Sequence, residues 1–252
     1  MLCTYPRTLR AQGLMETTRG TAVVTGAASG IGRALAALLW QRGTRLVLAD
    51  RACDQLEKLA EEMAATAVCM DVASAGDNER LAEIAGAAQL VCLNAGVTST
   101  HAGPVWETPP EEWRRVLAIN LDGVINGLRA FVPRMLATGQ PHRVLITASL
   151  AALATWPGGG AYAASKHAVL TVAEQAALAM EGTNVSVTVL CPALVRTGMS
   201  DIGAEPVDVA RAALDGVERG DFLVMPSEWA GAVRARVDRL ASGRAPQLPM
   251  PE

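Results

Sequence analysis

Residues 21–32 read TAVVTGAASGIG, a stretch that joins a strand pattern to a helical pattern through a glycine-rich turn. Its first five residues are β-branched or apolar and predict a strand, and GIG opens an apolar helical pattern. Between strand and helix, Gly26 permits a tight turn, Gly30 lets the backbone approach a phosphate, and Gly32 allows close helix packing. The N–H groups at the helix start favour an anion, to which Ser29 can add a hydroxyl contact. A glycine-rich turn without a ligand is the alternative.

Further along the chain, short apolar runs alternate with longer helical patterns. The runs lack period-two alternation, so they predict strands buried on both faces, as in a parallel sheet covered by helices. The predicted strands are TAVVTG, RLVLAD, AVCMDV, LVCLNAG, RVLITAS, VSVTVLCP and DFLVMP. The fold class is therefore α/β, a doubly wound (Rossmann) seven-stranded parallel sheet in a single domain. We expect this domain over residues 20–240, a flexible N-terminal extension over 1–19 and a C-terminal tail over 241–252.

Composition and charge fit one globular domain. Of the 252 residues, 50% are hydrophobic and 19% are charged, which separates the chain from disordered proteins. A net charge of -3 gives no reason to expect nucleic acid or an anionic membrane as a partner. No apolar run approaches the ~18 residues that span a membrane. Residues 1–19 lack the apolar core of a secretory signal; a start at Met15 and a weak transit segment are alternatives to a flexible extension.

The five cysteines predict no metal site, because no pair has the spacing of metal ligands. Cys69, Cys92 and Cys191 lie inside apolar runs, and we expect them to be buried thiols. Thiols of this kind are typical of a reducing, cytoplasmic compartment.

Two charged residues at the end of the second predicted strand bear on cofactor choice. The carboxylate of Asp50 can accept hydrogen bonds from both hydroxyls of an adenosine ribose and would repel a 2′-phosphate, which favours NAD over NADP. Arg51 complicates this inference, because an arginine there can hold a 2′-phosphate. A purely structural role for Asp50, as a cap of the next helix, is also open.

Three further polar groups point to acid–base chemistry at the same edge of the sheet. Ser149 ends the fifth predicted strand, and Tyr162 and Lys166 lie one helical turn apart in GAYAASKHAVL. An ammonium beside a phenol favours the phenolate, so we expect Lys166 to lower the pKa of Tyr162. Tyr162 can then exchange a proton with an alcohol or ketone, whose oxygen Ser149 would hold. Taken alone, a Tyr-x-x-x-Lys pattern is more often an ordinary helix surface.

Two more strand ends leave their roles open. Asp71, after the third strand, can accept a hydrogen bond from an adenine amino group or simply cap a turn. The NAG of residues 94–96 follows the fourth strand, where Asn94 can hold backbone and Gly96 can let a cofactor approach. A structural turn explains NAG equally well.

In order and spacing, the motifs from Thr21 to about Pro226 resemble those of the short-chain dehydrogenase/reductase family, single-domain type. The matching elements are TGAASGIG, Asp71-Val72, NAG, Asn120 in INLDGVINGL, Ser149, YAASK and CPALVRT. The resemblance implies a catalytic tetrad of Asn120, Ser149, Tyr162 and Lys166, in which Asn120 holds a water of a proton relay that reaches Lys166. It also implies an adenine contact for Asp71. The implied cofactor-binding set is Gly26, Ser29, Gly30, Ile31, Gly32, Asp50, Arg51, Asp71, Val72, Asn94, Ala95, Gly96, Tyr162, Lys166, Pro192, Val195 and Thr197.

The chain departs from the family pattern in two places. Ala193 replaces a frequent glycine, and we expect it to fit if its backbone φ is negative. The segment after Thr197, where the family inserts a helical substrate lid, reaches Pro206 in a few residues. We therefore expect an open site, or one completed by another chain. Candidate substrate contacts are Ser149, Trp156, Tyr162 and His101, with Trp106 nearby, although a histidine in the position of His101 is more often an ordinary surface-loop residue. The bulk of Trp156 favours a flat or apolar substrate part.

Together these features predict an NAD-dependent oxidoreductase that interconverts a small-molecule secondary alcohol and a ketone by hydride transfer, with Tyr162 as general acid/base. One alternative is an NADP-dependent carbonyl reductase that relies on Arg51. The other is a non-catalytic nucleotide-sensing or scaffold protein on the same fold. The resemblance also implies a homotetramer or homodimer, packed through the helices that contain Asn120 and Tyr162.

Overall fold

A sheet of seven parallel strands forms the centre of the structure, a computed structural model that describes residues 20–101 and 103–251. The strands are β1 (Thr21–Thr25), β2 (Arg45–Asp50), β3 (Thr66–Cys69), β4 (Leu90–Leu93), β5 (His142–Thr147), β6 (Val185–Leu190) and β7 (Leu223–Val224). Their order across the sheet is β3-β2-β1-β4-β5-β6-β7. This order reverses between β1 and β4, and the predicted doubly wound seven-stranded parallel sheet is confirmed. The predicted extension over residues 1–19 lies outside the described residues.

Helices cover both faces of the sheet. They are α1 (Gly30–Gln41), α2 (Cys53–Met63), α3 (Ala75–Ala85), α4 (Pro110–Leu117), α5 (Gly123–Thr138), α6 (Gly160–Ala179), α7 (Pro206–Arg219) and α8 (Ala230–Ala241). Successive residues of β1 point to opposite faces: Val23 packs in the core with α3, α5 and α6, whereas Ala22 and Val24 pack with α1, α2 and α7. Burial on both faces explains why the strands are apolar throughout. Helix α8 was not predicted, and none of its residues is buried.

A π-helical segment, Ala118–Asp122, joins α4 to α5. The helical stretch Pro110–Thr138 is long and apolar enough, by length and composition alone, to cross a membrane. The sequence did not indicate this stretch, because its apolar residues do not form one continuous run. The stretch packs instead against α3 and α6, and Phe131 and Met135 are buried in the core. A core helix passes the same test of length and composition, so this stretch is explained by the fold itself.

The cysteine prediction is wrong in one respect. Cys92 and Cys191 are buried free thiols, as expected, but Cys69 is exposed and forms a disulfide with Cys53. Cys69 ends β3, which lies at the edge of the sheet. The end of an edge strand has a neighbouring strand on one side only, so an apolar run there does not ensure burial of its last residue.

Candidate active site

The turn after β1 brings the backbone of three segments into close contact. Gly26 and Gly30 have positive φ angles of 67° and 53°, which favour glycine. A Cβ on Gly32 would lie 2.0 Å from the carbonyl oxygen of Gly26, so a side chain there has no room. Ser29 is exposed at the start of α1 and makes no side-chain cap, and Ile31 follows in the first turn. The turn thus leaves N–H groups at the start of α1 uncovered, in a cradle that fits the pyrophosphate of a dinucleotide.

Asp50 lies beside this turn with its carboxylate fixed by two backbone groups. Oδ2 accepts a hydrogen bond from the N–H of Ala28 at 3.0 Å, and Oδ1 accepts one from Ala52 at 3.0 Å. Ala52, and not Asp50, is the N-cap residue of α2, and no side chain caps that helix, so the capping alternative for Asp50 is wrong. Each carboxylate oxygen retains acceptor capacity for ribose hydroxyls. Arg51 is exposed and forms no salt bridge within residues 20–101 and 103–251.

Asp71 and Val72 follow β3 on the same edge. Asp71 is exposed, and its Oδ1 accepts a hydrogen bond from the N–H of Ala73 at 2.9 Å. One carboxylate oxygen therefore stabilises a turn, while the other remains available for a ligand. The carbonyl oxygen of Val72 accepts hydrogen bonds from the side chains of Asn78 and Asn126, which ties this turn to α3 and α5.

Asn94 joins the ends of β1, β4 and β5. Its backbone N–H donates to Thr25 Oγ1 at 3.0 Å, its Nδ2 donates to the carbonyl of Thr25 at 3.1 Å, and its Oδ1 accepts from Thr147 Oγ1 at 3.0 Å. The N–H of Ala95 also donates to Thr25 Oγ1, at 3.1 Å. Two residues after Asn94, Gly96 lets the side chains of Asn120 and Lys166 pack closely against the backbone. A Cβ on Gly96 would lie 3.2 Å from Asn120 Oδ1 and 3.3 Å from Lys166 Nζ. The side chain of Asn94 and the absence of a side chain at Gly96 thus both keep the carboxyl edge of the sheet closely packed.

Asn120 is fully buried in the π-helical segment. Its Oδ1 accepts a hydrogen bond from the N–H of Val97 at 2.8 Å, and its Nδ2 donates to the Val97 carbonyl and to Ser165 Oγ, each at 2.9 Å. These bonds use both amide hydrogens, so the side chain is locked in one orientation. Only the family resemblance picked out Asn120. The structure places it near Lys166, because both side chains lie against Gly96.

Ser149, Tyr162 and Lys166 meet where β5 ends and α6 begins. Ser149 Oγ accepts a hydrogen bond from the N–H of Ala151 at 3.1 Å, and Ser149 and Tyr162 also share a side-chain hydrogen bond. Lys166 Nζ lies 5.9 Å from the centre of the Tyr162 ring and donates a 3.0 Å hydrogen bond to the carbonyl of Thr147. The three predicted side chains therefore form one cluster at the carboxyl edge of the sheet.

The expected direction of the Tyr162 pKa is wrong for the protein without ligand. Burial raises the pKa of Tyr162, and the hydrogen bond with Ser149 only partly opposes this rise. Burial also lowers the pKa of Lys166 to about 8, so its positive charge is itself costly. Sequence spacing placed the ammonium near the phenol but did not reveal that both groups are desolvated.

The buried charge of Lys166 predicts a pH-dependent cost in stability. The pKa of Lys166 falls from 10.5 to about 8 on folding, so between these pH values the unfolded chain binds a proton that the folded chain does not. Stability therefore rises with pH across this window, and below it the folded state bears a cost of about 3 kcal/mol. Lys166→Met removes the charge but leaves the Thr147 carbonyl without its donor, which costs about 1 kcal/mol.

We expect Lys166→Met to raise the free energy of unfolding at pH 7 by about 2 kcal/mol, and by less at pH 10. Denaturant titrations of both proteins at the two pH values check this. A variant that is less stable than the wild type at pH 7, or a difference that is independent of pH, would contradict a buried charge at this position.

The segment after β6 folds back onto the glycine turn. Thr197 and Ser200 exchange backbone hydrogen bonds of 2.9 and 3.1 Å, and Val195 pairs with Ala204. A Cβ on Gly30 would lie 3.1 Å from Thr197 Cγ2, so Thr197 adjoins the phosphate cradle. The carbonyl of Pro192 accepts a hydrogen bond from the N–H of Leu150 at 2.8 Å, beside Ser149.

Ala193 fits its position. Ala64 is the only non-glycine residue with positive φ among those the structure describes, so Ala193 has an ordinary backbone conformation. The replacement of the frequent family glycine is therefore tolerated without strain, as expected.

Of the remaining candidate substrate residues, Trp156 and His101 lie in loops and Trp106 lies in a short 3₁₀ helix, Val105–Glu107. Trp156, in the loop between Ser149 and Tyr162, is 39% exposed, and Trp106 is 82% exposed. His101 is half-buried, and its Nε2 is a buried atom that makes no hydrogen bond within the described part of the chain. The short segment from Gly198 to Glu205 adds no helix over the site.

Sequence reasoning missed the place of Cys191 in this cluster. Cys191 directly follows β6, is fully buried, and lies close to Tyr162 and Lys166. Burial raises its pKa to about 11, which keeps it a neutral thiol. An apolar run predicted its burial, but only the sheet order places β6 beside β5 and hence Cys191 beside Ser149.

Comparison with known proteins places this geometry in a family. The family model described as short chain dehydrogenase matches residues 20–205. A 1-deoxy-11-beta-hydroxypentalenate dehydrogenase from Streptomyces avermitilis is 43% identical over 189 residues, which cover 71% of this chain and 70% of that protein. A 2-(R)-hydroxypropyl-CoM dehydrogenase from Xanthobacter autotrophicus is 36% identical over 190 residues, which cover 71% of this chain and 76% of that protein.

A solved structure agrees over nearly the whole chain. The short chain dehydrogenase/reductase from Burkholderia phymatum in complex with NAD superposes with a TM-score of 0.88 at 29% identity, covering 94% of this chain and 100% of that one. The glycine turn and the carboxyl-edge cluster lie inside the matched residues 20–205. The chain therefore belongs to the short chain dehydrogenase family and is an oxidoreductase of the NAD(P)-dependent type that acts on CH–OH groups.

Proposed function

We propose that the protein is an NAD-dependent oxidoreductase that interconverts a secondary alcohol and a ketone, with Tyr162 as the residue that moves the proton. One observation carries the proposal: Ser149, Tyr162, Lys166 and Asn120 converge at the carboxyl edge of the sheet, next to a turn with room for a pyrophosphate. When bound, the nicotinamide supplies the hydride acceptor or donor. The chain itself supplies the binding groups, the orientation and the proton.

The cofactor fits the residues present. The start of α1 offers N–H groups for the pyrophosphate, Asp50 offers acceptors for a ribose, and Asp71 has a carboxylate oxygen for an adenine amino group. Gly96 lets Asn120 and Lys166 pack against the backbone after β4, and Thr197 closes the other side of the glycine turn. In this proposal Lys166 also binds the nicotinamide ribose, and Pro192 and Val195 line the nicotinamide.

The proton has a defined route through the chain's own groups. With its raised pKa, Tyr162 is protonated near neutral pH, which suits donation to a ketone oxygen. Ser149 lies within hydrogen-bond reach of Tyr162 and can hold the same oxygen. For alcohol oxidation the phenol must first lose its proton, and Lys166 is the nearby cation that stabilises the phenolate.

The substrate contacts we propose follow from position. The two curated relatives above are named for the dehydrogenation of hydroxylated compounds. Here Trp156, in a loop, and Trp106, in the short 3₁₀ helix Val105–Glu107, present exposed aromatic surface, which favours a substrate with an apolar part. His101 Nε2, buried without a partner among the described residues, is a candidate for one polar substrate group.

The choice of NAD over NADP rests on Asp50. Its carboxylate is held by two backbone N–H groups, and its charge would repel a 2′-phosphate, so we expect wild-type turnover and binding to favour NAD by about tenfold or more, which is ~1.4 kcal/mol. Asp50→Asn keeps the size of the side chain and removes the charge, and should narrow the preference. Dissociation constants and kcat/KM for both cofactors check this.

Arg51→Ala is the matched control. It should weaken NADP binding alone, because Arg51 is exposed and holds no other group within the described residues. A wild-type preference for NADP of about tenfold or more would favour the carbonyl reductase alternative and defeat the inference from Asp50.

We further propose that the protein works in the cytoplasm as a homotetramer or homodimer, packed through the Pro110–Thr138 stretch and α6. The support is the family resemblance and the short segment after Thr197, which leaves the site open to a second chain.

A further inference from the structure

The disulfide lies at the cofactor end of the sheet. Cys53 is the first residue of α2 and Cys69 is the last residue of β3, and their Cα atoms are 5.2 Å apart. This separation is within the range that a disulfide bridges without backbone movement. The two cysteines are 16 residues apart in sequence, so the bond closes a loop made of α2 and β3.

Asp50 lies beside the bond, just outside the loop that it closes. In the parallel pairing of β2 and β3, Asp50 lies directly opposite Cys69, and the N–H of Met70 donates a 2.9 Å hydrogen bond to the Asp50 carbonyl. On the other side, Ala52 immediately precedes Cys53 and donates its N–H to Asp50 Oδ1 at 3.0 Å. The disulfide therefore restrains two of the three groups that donate to Asp50, Met70 at the backbone carbonyl and Ala52 at Oδ1, while Ala28 donates to Oδ2 from the glycine turn.

These two sulfurs differ from the other described cysteines in access. Cys69 is exposed and Cys53 is half-buried, whereas Cys92 and Cys191 are completely buried. A thiol–disulfide exchange reagent can reach the first pair, while the interior thiols are shielded. Cys3, the fifth cysteine, lies outside the described residues.

We propose that Cys53 and Cys69 are a reversible redox pair that sets the affinity of the adenosine half of the cofactor site; this rests on the proposed cofactor function. With a small disulfide such as oxidised glutathione as oxidant, the Cys53 thiolate attacks one sulfur, forming a mixed disulfide and releasing one glutathione. The Cys69 thiolate then attacks the Cys53 sulfur and releases the second glutathione. Two protein thiols are oxidised and one glutathione disulfide is reduced to two thiols.

The disulfide should raise the affinity for the cofactor, because it restrains the segment that contains Ala52. In the disulfide form, the segment with Ala52 is tied to β3, so the acceptors of Asp50 are already ordered for a ribose. Reduction removes this restraint, and binding must then order the segment at a cost. We therefore expect the oxidised protein to bind NAD⁺ and ADP-ribose about threefold to tenfold more tightly than the reduced protein.

The test uses the full chain in a Cys3→Ser background, so that only the described cysteines remain. Protein equilibrated with oxidised or reduced glutathione is alkylated and mapped by mass spectrometry, and the dissociation constants of NAD⁺ and ADP-ribose are measured by calorimetry in each state. The control is Cys53→Ser combined with Cys69→Ser, which should bind both ligands with one affinity, equal to that of the reduced protein, whichever glutathione form is present.

Each outcome decides the inference. Alkylation of Cys53 and Cys69 only after reduction, with tighter binding in the oxidised state, supports it. Equal affinity in both states, tighter binding after reduction, or a redox effect that persists in the double variant overturns it while leaving the proposed function standing. Absence of nucleotide binding in both states overturns the inference and the proposed function alike.

Discussion

Tyr162→Phe should lower turnover by about 10²–10⁴-fold, the usual contribution of a positioned acid–base group, while leaving the dissociation constant of NAD nearly unchanged. The variant loses one hydroxyl and keeps the ring, so packing at the start of α6 is preserved. The lost hydroxyl is the group that hydrogen-bonds with Ser149 and lies near Lys166, whose Nζ is 5.9 Å from the ring centre. No other phenol can replace it, because Tyr5 is the only other tyrosine of the chain.

The matched control for this prediction is Trp156→Phe. It changes an aromatic side chain in the loop between Ser149 and Tyr162 but removes no proton-transfer group. We expect it to alter KM for the substrate more than kcat, since Trp156 is proposed to contact an apolar substrate part. Equal losses of kcat in the two variants would mean that Tyr162 contributes packing and not proton transfer.

Gly32→Ala should have the largest effect on stability, about 3 kcal/mol or more. The added Cβ would lie 2.0 Å from the carbonyl oxygen of Gly26 and 2.7 Å from Asn94 Nδ2. The first of these contacts is with backbone, so α1 must move away from β1. The N–H groups at the start of α1 are then displaced from the proposed pyrophosphate position. Cofactor binding should fall together with stability.

Gly76→Ala provides the comparison in another helix. A Cβ on Gly76, in α3, meets nothing closer than Ser74 Oγ at 4.0 Å. Alanine is favoured over glycine in a helix by up to about 1 kcal/mol, so this variant should be neutral or slightly more stable. Denaturant titrations of the two variants separate contact with the Gly26 carbonyl from the general effect of replacing glycine; a Gly32→Ala protein as stable as Gly76→Ala would contradict the close approach.

The fold was predictable because its signals are local. Each strand is buried on both faces and so reads as a continuous apolar run, and the glycine turn requires glycine where the Gly26 carbonyl leaves no room for a Cβ. Helix α8 was missed because none of its residues is buried, which leaves a weaker apolar pattern to detect.

The site was less predictable because its contacts join distant segments. Asn120 has no local signal: it lies in a π-helical segment within an apolar stretch, and its partners Val97 and Ser165 are 23 and 45 residues away. The spacing of Tyr162 and Lys166 placed both on one helix face, but the direction of their pKa values depends on burial, which spacing does not reveal. Likewise, the pairing of Cys53 with Cys69 depends on the edge position of β3.

The most direct measurement follows a deuterium label from substrate to cofactor. A panel of secondary alcohols deuterated at the carbinol carbon is incubated with NAD⁺ and either the wild type or Tyr162→Phe, and the mass of the reduced cofactor and the formation of ketone are recorded. We expect deuterium-labelled NADH and an equal amount of ketone with the wild type, and almost none of either with Tyr162→Phe, although both proteins bind NAD⁺ equally. Wild-type protein that binds NAD⁺ but transfers no deuterium across the panel would contradict hydride transfer from a secondary alcohol. A Tyr162→Phe protein that transfers deuterium as fast as the wild type would contradict proton transfer by Tyr162.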